Sequence, residues 1–600
     1  MAEGKQLPRR DEIAAESKWR LEDIYARVED WEKELRDVKQ AIPEISALAG
    51  HLGEGADKLC QVLELDTNLG RKISSLFVYA KMRFDEDTSN AVSRGLVDRA
   101  ENLSTEVASA TAFMVPEILA IPEATLQQYI RDYQPLQLYR HFLEDLTRLR
   151  EHFLSASEEQ ILAQAGELAA GPGTIFDMFN HADLKFPVVH DEDGDEIRLT
   201  HGRYIQLMES PKREVRQEAF TALYETYRKY KNTMSAIFAS NIKRDIFFSR
   251  ARRYSSSLEA SLAANKIPTA VYDNLIAAVR SNLPALHRYV ALRRRALGLE
   301  QLHMYDLYTP IVKDYKVTIP YGQAAETVVK GLAVLGDQYQ QALKKGLEDH
   351  WVDVHETEGK QSGAYSWGTY DTHPYVLLNY QDNLDNMFTL AHEMGHSLHT
   401  YFSQKNQPYI YAGYSTFVAE VASTANEALL MDYLLKNTSD QKMQGYLINH
   451  YLEQFRGTVY RQTMFAEFEQ KVHAMAEAGE ALTVDRLCEI YHQLNRDYYG
   501  PEMVVDDLIA LEWMRIPHFY NNFYVFQYAT GYSAAIALSQ AILSEGQGAV
   551  ERYLGFLRAG GSDYPIEVLS RAGVNMATPE PVNAALQVFA DLIGRMEELV

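Results

Sequence analysis

Two histidines four positions apart, His392 and His396, with Glu393 beside the first, carry the strongest chemical signal in this 600-residue chain. On a helix such residues lie one turn apart on one face, so both imidazoles can reach a single metal ion. Glu393 then points at a water on that ion and can serve as its general base. A catalytic zinc takes three protein ligands and keeps one position open, so a third ligand must come from elsewhere. His399 is the nearest candidate, but its Cα lies about 10.5 Å along the helix axis from that of His392. Ligand bonds of about 2 Å do not easily converge three imidazoles from one straight helix, so His399 is expected to be structural or to support a ligand. Phe402 stands where the metzincin spacing would put its third His. No Asp or Glu occurs between His396 and Glu420, which makes Glu420 the next available acid. Glu427 follows seven positions later, two turns along the same face, a spacing that suits a carboxylate orienting a ligating imidazole.

These residues need helices to hold them. From Asp382 to Phe402, Asp382 offers an N-cap, Asp385 an acid in the first turn, and no proline intervenes. Leu384, Met387, Phe388, Ala391, Gly395, Leu398 and Phe402 repeat with helical period as one apolar stripe. His392 and His396 fall beside it, about 100–140° from its centre, where they would line a cleft. Glu420 and Glu427 sit in STFVAEVASTANEALLMDYL, an Ala-rich helical run. Ahead of the metal motif, Gly363–Gly368 and Pro374–Tyr380 are the best strand candidates. They form either an edge that pairs with an extended peptide or a small structural sheet.

The rest of the chain is dominated by helical periodicity. Helices follow one another from Trp19 to about Ser155, punctuated by Pro116, Pro122 and Pro135. A further helix is expected from Ser157, with Gln160 in capping-box register, ending at Gly171-Pro172-Gly173. Residues 1–115 are expected to form an N-terminal helical region and 116–185 a helical lobe. The acidic stretch around Asp193-Gly194 fits a hairpin with a type I′ turn better than a calcium loop. Long helices are expected from Pro211 towards Arg250 and from Pro268 to about Leu297. The basic runs at Arg250–Arg253 and Arg293–Arg295 fit a solvated or salt-bridged face.

Composition narrows the class. A net charge of −24 argues against nucleic acid as a partner, because phosphate binding needs a basic face. With 46% hydrophobic and 24% charged residues the chain is globular rather than disordered. Cys60 and Cys488 are far apart and without metal spacing, which fits reduced core thiols and a cytoplasmic protein. MAEGKQLPRRDEIAAE lacks an apolar signal region, and the run Val107–Pro122, broken by Pro116 and Glu117, is too short to span a bilayer. Neither a secretory leader nor a membrane partner is expected.

Late in the chain, His518, Tyr520, Tyr524 and Tyr528 make a polar-tipped aromatic stripe if the segment is helical. The alternative is an aromatic core stripe. HEMGHSLH followed by FVAEVAS, with Glu420 twenty-four positions after His396, resembles the thimet-oligopeptidase-like zinc metallopeptidases, and within them oligoendopeptidase F. LPRRDEI, WRLEDIY and WMRIPHFYNNFYVFQYATG extend the resemblance over nearly the whole chain.

The resemblance implies a mainly α, multi-lobed helical ellipsoid with a deep central channel and a small β-sheet near the active site. It implies one Zn2+ per chain, held by His392, His396 and Glu420, with Glu393 as general base and residues 203–585 as the catalytic domain. It also implies that His518 and Tyr528 assist catalysis and that Tyr520 and Tyr524 contact substrate. Aligning the tyrosines needs one inserted residue, and Gly531 replaces a third family Tyr. The expected function is zinc-dependent cleavage of internal bonds in short unstructured peptides. A dipeptidyl carboxypeptidase of the angiotensin-converting type and a catalytically silent peptide-binding protein are the alternatives. The sequence leaves the oligomeric state open.

Overall fold

The computed structural model describes residues 7–312 and 317–600. Met1–Gln6 of the leader expectation and positions 313–316 of the helical middle lie outside them. The described chain is mainly α, 72% helical, with seven strands of two or three residues each. Those strands are β1 (Val188–His190), β2 (Glu196–Arg198), β3 (Leu302–His303), β4 (Val352–Asp353), β5 (Tyr365–Trp367), β6 (Tyr375–Leu377) and β7 (Met503–Val504). No single helix among the described residues is long and apolar enough to cross a membrane. Two compact units emerge, each assembled from three separate stretches of sequence.

The first unit comprises Met1–Phe153, Lys316–Tyr433 and Leu538–Gly573. Its N-terminal helices Val28–Ser46, Ala56–Glu86 and Ala91–Thr111 close round an apolar core that includes Trp31, whose Nε1 donates to the carbonyl of Leu76 at 2.8 Å. Tyr375 and Leu377 of β6 join that core. The strand order is β4-β6-β5, with β4 parallel and β5 antiparallel to β6 in the register Ser366↔Val376. The two strand expectations ahead of the metal motif thus hold, and β5 is an edge strand. Burial of a charge under this sheet is compensated: the fully enclosed Lys360 ammonium lies 2.7 Å from Asp353.

The second unit comprises Leu154–Tyr315, Leu434–Ala537 and Val574–Val600. Several local expectations need correction here. Ser155, not Ser157, caps the helix Ala156–Ala169, in a capping box with Glu158. Gly171-Pro172-Gly173 opens the following helix, Gly171–Asp177, because proline needs no N–H partner in a first turn. The hairpin β1–β2 forms, but its connection is five residues long rather than a two-residue type I′ turn. The Gly194 N–H donates to the Asp191 carbonyl, and Gly194 takes φ +85°, a type I turn followed by a left-handed glycine. The helix expected from Pro211 to Arg250 is two, Arg213–Lys229 and Lys231–Ala251, meeting at Tyr230. The one from Pro268 is likewise split at Asn282 into Thr269–Ser281 and Leu283–Ala296, and Pro284 is the overlooked start signal. The run Arg293–Arg295 is salt-bridged as expected, Arg294 and Arg295 with Glu502 and Glu597, but Arg293 departs from a surface face: it is fully buried, 2.9 Å from Glu453. Cys60 is buried, but Cys488 is only half-buried, and both thiols are free.

Candidate metal centre

The metal motif lies in the first unit on the helix Leu384–Asn406, one residue later in onset and one turn longer than expected. Asn383, not Asp382, is the N-cap, its side chain accepting from the Asn386 N–H at 2.8 Å. The helix Thr416–Asn437 carries Glu420 and Glu427. Gly395 decides how near the two helices come. A Cβ at that position would stand 2.5 Å from Cα of Ser423 and 2.8 Å from the Ala422 carbonyl oxygen. Only hydrogen fits there, so the backbones touch and the acids come within reach of the imidazoles. Asn426 fastens the crossing: its Nδ2 donates to the Ala391 carbonyl at 3.0 Å, and its Oδ1 accepts from the Tyr339 hydroxyl at 2.7 Å. The sequence signal for this clamp was an asparagine in an Ala-rich helical run.

Nε2 of His392 and Nε2 of His396 are 3.2 Å apart, and Oε2 of Glu420 lies 3.3 Å from the first and 3.4 Å from the second. Tetrahedral bonds of about 2.0–2.1 Å place neighbouring ligands about 3.3–3.4 Å apart, so this triangle fits one zinc-sized ion. Ser423 Oγ donates to Glu420 Oε2 at 3.1 Å and limits the carboxylate's rotation. On the other side of the His392 ring, Nδ1 lies 2.6 Å from Oε1 of Glu427. That contact assigns the proton to Nδ1 and leaves the Nε2 lone pair for a metal. Among protein groups alone, burial would lower the His392 pKa, but hydrogen bonds to Glu420 and Glu427 outweigh it and hold it at about 10. The same imidazoles overcome burial at Glu420 and keep its carboxyl well below the usual range.

Glu393 is buried, and burial raises its pKa against the opposing pull of His392 and His396. A base held nearer neutrality is a stronger proton acceptor. His399 is not part of the cluster. It is stacked on Tyr414 at 3.7 Å, with Phe556 at 5.0 Å, and burial pushes its pKa down to about 3, so it packs as a neutral ring. Ser397, next to His396, lies 2.7 Å (Oγ to Oγ) from Ser366 of β5, which ties the edge strand to the metal helix.

In the second unit, the segment carrying the late aromatic residues is not one helix. A short 3-10 turn, Pro517–Tyr520, gives way to an irregular stretch before the helix Phe526–Glu545. Phe523 in that stretch takes φ +51°, an unfavourable backbone for a bulky residue. Neighbouring helices pin it in place. Asn241 donates to the Phe519 carbonyl at 3.1 Å and Ser261 to that of Asn522 at 2.8 Å. The buried Glu469 accepts from the Phe523 N–H at 2.7 Å, and burial pushes its own pKa up to about 8.

The turn brings His518 Nε2 to 3.2 Å from the Tyr528 hydroxyl. Tyr524 lies parallel to His518 at 6.2 Å and edge-on to Tyr528 at 5.4 Å. Tyr520 goes elsewhere, stacked on Phe176 at 4.2 Å. The stripe expected for a helix is therefore replaced by a cluster of three.

The Glu427 contact makes a direct prediction. Glu427→Ala should weaken metal binding about 10- to 100-fold by freeing the His392 ring. Titration against a competing chelator measures this, and unchanged affinity would show that the carboxylate does not support the ligand.

Known proteins resemble this chain in sequence and in fold. The sequence model of Peptidase family M3 matches residues 206–588, and one described as Oligopeptidase F matches 117–186. Oligopeptidase PepF of Bacillus subtilis (strain 168) is 52% identical, over 100% of this chain and 90% of its own. Group B oligopeptidase PepB of Streptococcus agalactiae is 41% identical over 98% of both. Oligoendopeptidase-F from Enterococcus faecium superposes with a TM-score of 0.75 at 37% identity, covering 95% of this chain and 99% of its own. A solved structure from Chlamydophila abortus reaches 0.94 at 35% identity, covering 99% and 100%. With a family match over well over half its length and a relative this similar end to end, the chain belongs to peptidase family M3, and it is a metallopeptidase that hydrolyses peptides.

Proposed function

We propose that this enzyme is a zinc-dependent endopeptidase acting on internal bonds of short unstructured peptides, with one zinc per chain held by His392, His396 and Glu420. The carrying observation is the near-equilateral triangle of three ligand atoms at 3.2, 3.3 and 3.4 Å. When bound, zinc supplies Lewis acidity, polarising a carbonyl and drawing the pKa of a water towards neutrality. Glu393 removes a proton from the attacking water and delivers it to the departing amine. Glu427 keeps His392 in the tautomer that ligates. Tyr528 donates its hydroxyl proton to the oxygen that becomes negative as the carbonyl turns tetrahedral, and His518, with Nε2 3.2 Å from that hydroxyl, donates Nε2–H either to the hydroxyl oxygen or, once substrate is bound, to the same oxyanion. Burial lowers the His518 pKa, which keeps the ring neutral and able to share a proton with Tyr528. Tyr524 borders the substrate beside His518, and Tyr520 supports the turn through Phe176. The edge strand β5, tied to the metal helix through Ser366, offers backbone groups to an extended peptide. Residues 203–585 carry the catalytic machinery, with 1–115 and 116–185 as helical parts of the N-terminal half. The two free thiols suit a cytoplasmic setting.

Mass spectrometry of a peptide pool blocked at both ends tests this reading. Internal cleavage should occur, stop with chelator and return with added zinc. Release of C-terminal dipeptides from unblocked peptides alone would favour a dipeptidyl carboxypeptidase. Binding without any cleavage by zinc-loaded protein would favour the silent peptide binder.

A further inference from the structure

A cavity of ≈ 660 Å³ in the first unit lies beside the metal helix and has no part in the chemistry described above. Thr400 and Gln404 line it, four and eight positions after His396 and so on the same helix face. At 1.5 Å per residue their Cα atoms stand about 6 and 12 Å along the axis from that of His396. Gly368, directly past the edge strand β5, lines it as well. The cavity therefore adjoins both the helix that carries the metal ligands and the strand edge best suited to an extended peptide.

One wall residue is out of balance. Asp66, on the helix Ala56–Glu86, contributes to the lining. Among the described residues it has no hydrogen-bond or ion-pair partner, and burial alone raises its pKa. The nearby cation Arg71 is taken by Asp371 and by the face of Tyr370. Tyr409 lines the same cavity; its pKa is raised first by burial and then by the negative charge of Asp66. Asp66 is half-buried, so its carboxylate loses part of its hydration without gaining a countercharge, and a ligand that brings a cation offsets that loss.

We propose that this cavity is a substrate pocket in which Asp66 binds a protonated amine of the peptide, about two to four residues from the cleaved bond. The span is that of the cavity wall: Thr400 and Gln404 stand about 6–12 Å along the helix from His396, which is about two to four residues of extended chain at about 3.3 Å per residue. The proposal rests on the reading of His392, His396 and Glu420 as the reacting centre. The amine has two chemical sources, the peptide's α-amino terminus or a lysine side chain.

Four quenched peptides with one core separate the possibilities: free or acetylated at the N-terminus, and lysine or norleucine three residues from the cleaved bond. For wild type, KM should be about tenfold lower for the cationic member of one pair. The acetylation pair identifies the terminus as the source, and the norleucine pair identifies the side chain. In Asp66→Asn that KM ratio should collapse towards one at unchanged zinc content, and Asp66→Glu should restore part of it. A ratio that persists in Asp66→Asn, or no ratio in wild type, overturns the pocket. If no peptide were cleaved the endopeptidase reading would fail, and fluorescence anisotropy with the same four peptides would still judge the pocket. A charge preference in binding that Asp66→Asn removes supports it, and its absence or persistence overturns it.

Discussion

Glu393→Gln should leave zinc in place and lower turnover about 10³-fold. The carboxamide has the same size and keeps an acceptor oxygen, so packing of this buried side chain should hold. It cannot take a proton, and that is the role assigned to the carboxylate. None of the three atoms of the proposed metal triangle belongs to residue 393, so the ligand set is untouched. Metal analysis by mass spectrometry and single-turnover kinetics on an end-blocked peptide check the two halves of the expectation. Wild-type turnover with full zinc would sink the general-base assignment. Loss of zinc would mean that Glu393 also shapes the ligand set.

The second large effect is expected at a residue with no chemistry of its own. Gly395→Ala adds one methyl where Cα and N of Ser423 and the Ala422 carbonyl already stand within 2.9 Å of its position. All three are backbone atoms, so no side-chain rotation relieves the clash and the helices must part. Overpacking of this kind costs about 1–3 kcal/mol. The helix Thr416–Asn437 carries Glu420 while its partner carries the histidines, so separation opens the ligand triangle directly. Strain of that size working against ion binding weakens it about 5- to 150-fold. The melting temperature should fall as well. Chelator-competition titration and a thermal melt test both, and a variant matching wild type in both would refute the close-contact account.

How much of this was legible beforehand depends on whether a feature is local. The pairing of His392 with His396 needs only helical periodicity, which their own neighbours dictate. Glu420 could be singled out because no acid lies between it and His396. Its 3.3 Å approach to His392 could not, since that depends on Gly395 meeting Ser423 across two helices. The break at Tyr230 was hidden because neither glycine nor proline marks it, whereas Pro284 did mark the break at Asn282. The turn at Phe523 was missed for a further reason. Its strained backbone is stabilised by Glu469, Asn241 and Ser261, which lie 54 to 278 positions away in sequence.

The sequence by itself determined the helical class, the identity of the metal motif, the strand candidates beside it and the resemblance that the relatives bear out. These follow from spacing and periodicity, which act over a few residues. The tertiary structure chose packing over ligand support for His399, picked out His392 as the imidazole that Glu427 reaches, and alone decided that Tyr520 leaves the cluster of His518, Tyr524 and Tyr528. It alone decided that Asp66 faces a cavity without a countercharge. The physical reason is common to all four. Burial, hydrogen-bond partners and unbalanced charge are set by residues distant in the chain, and only packing brings them together.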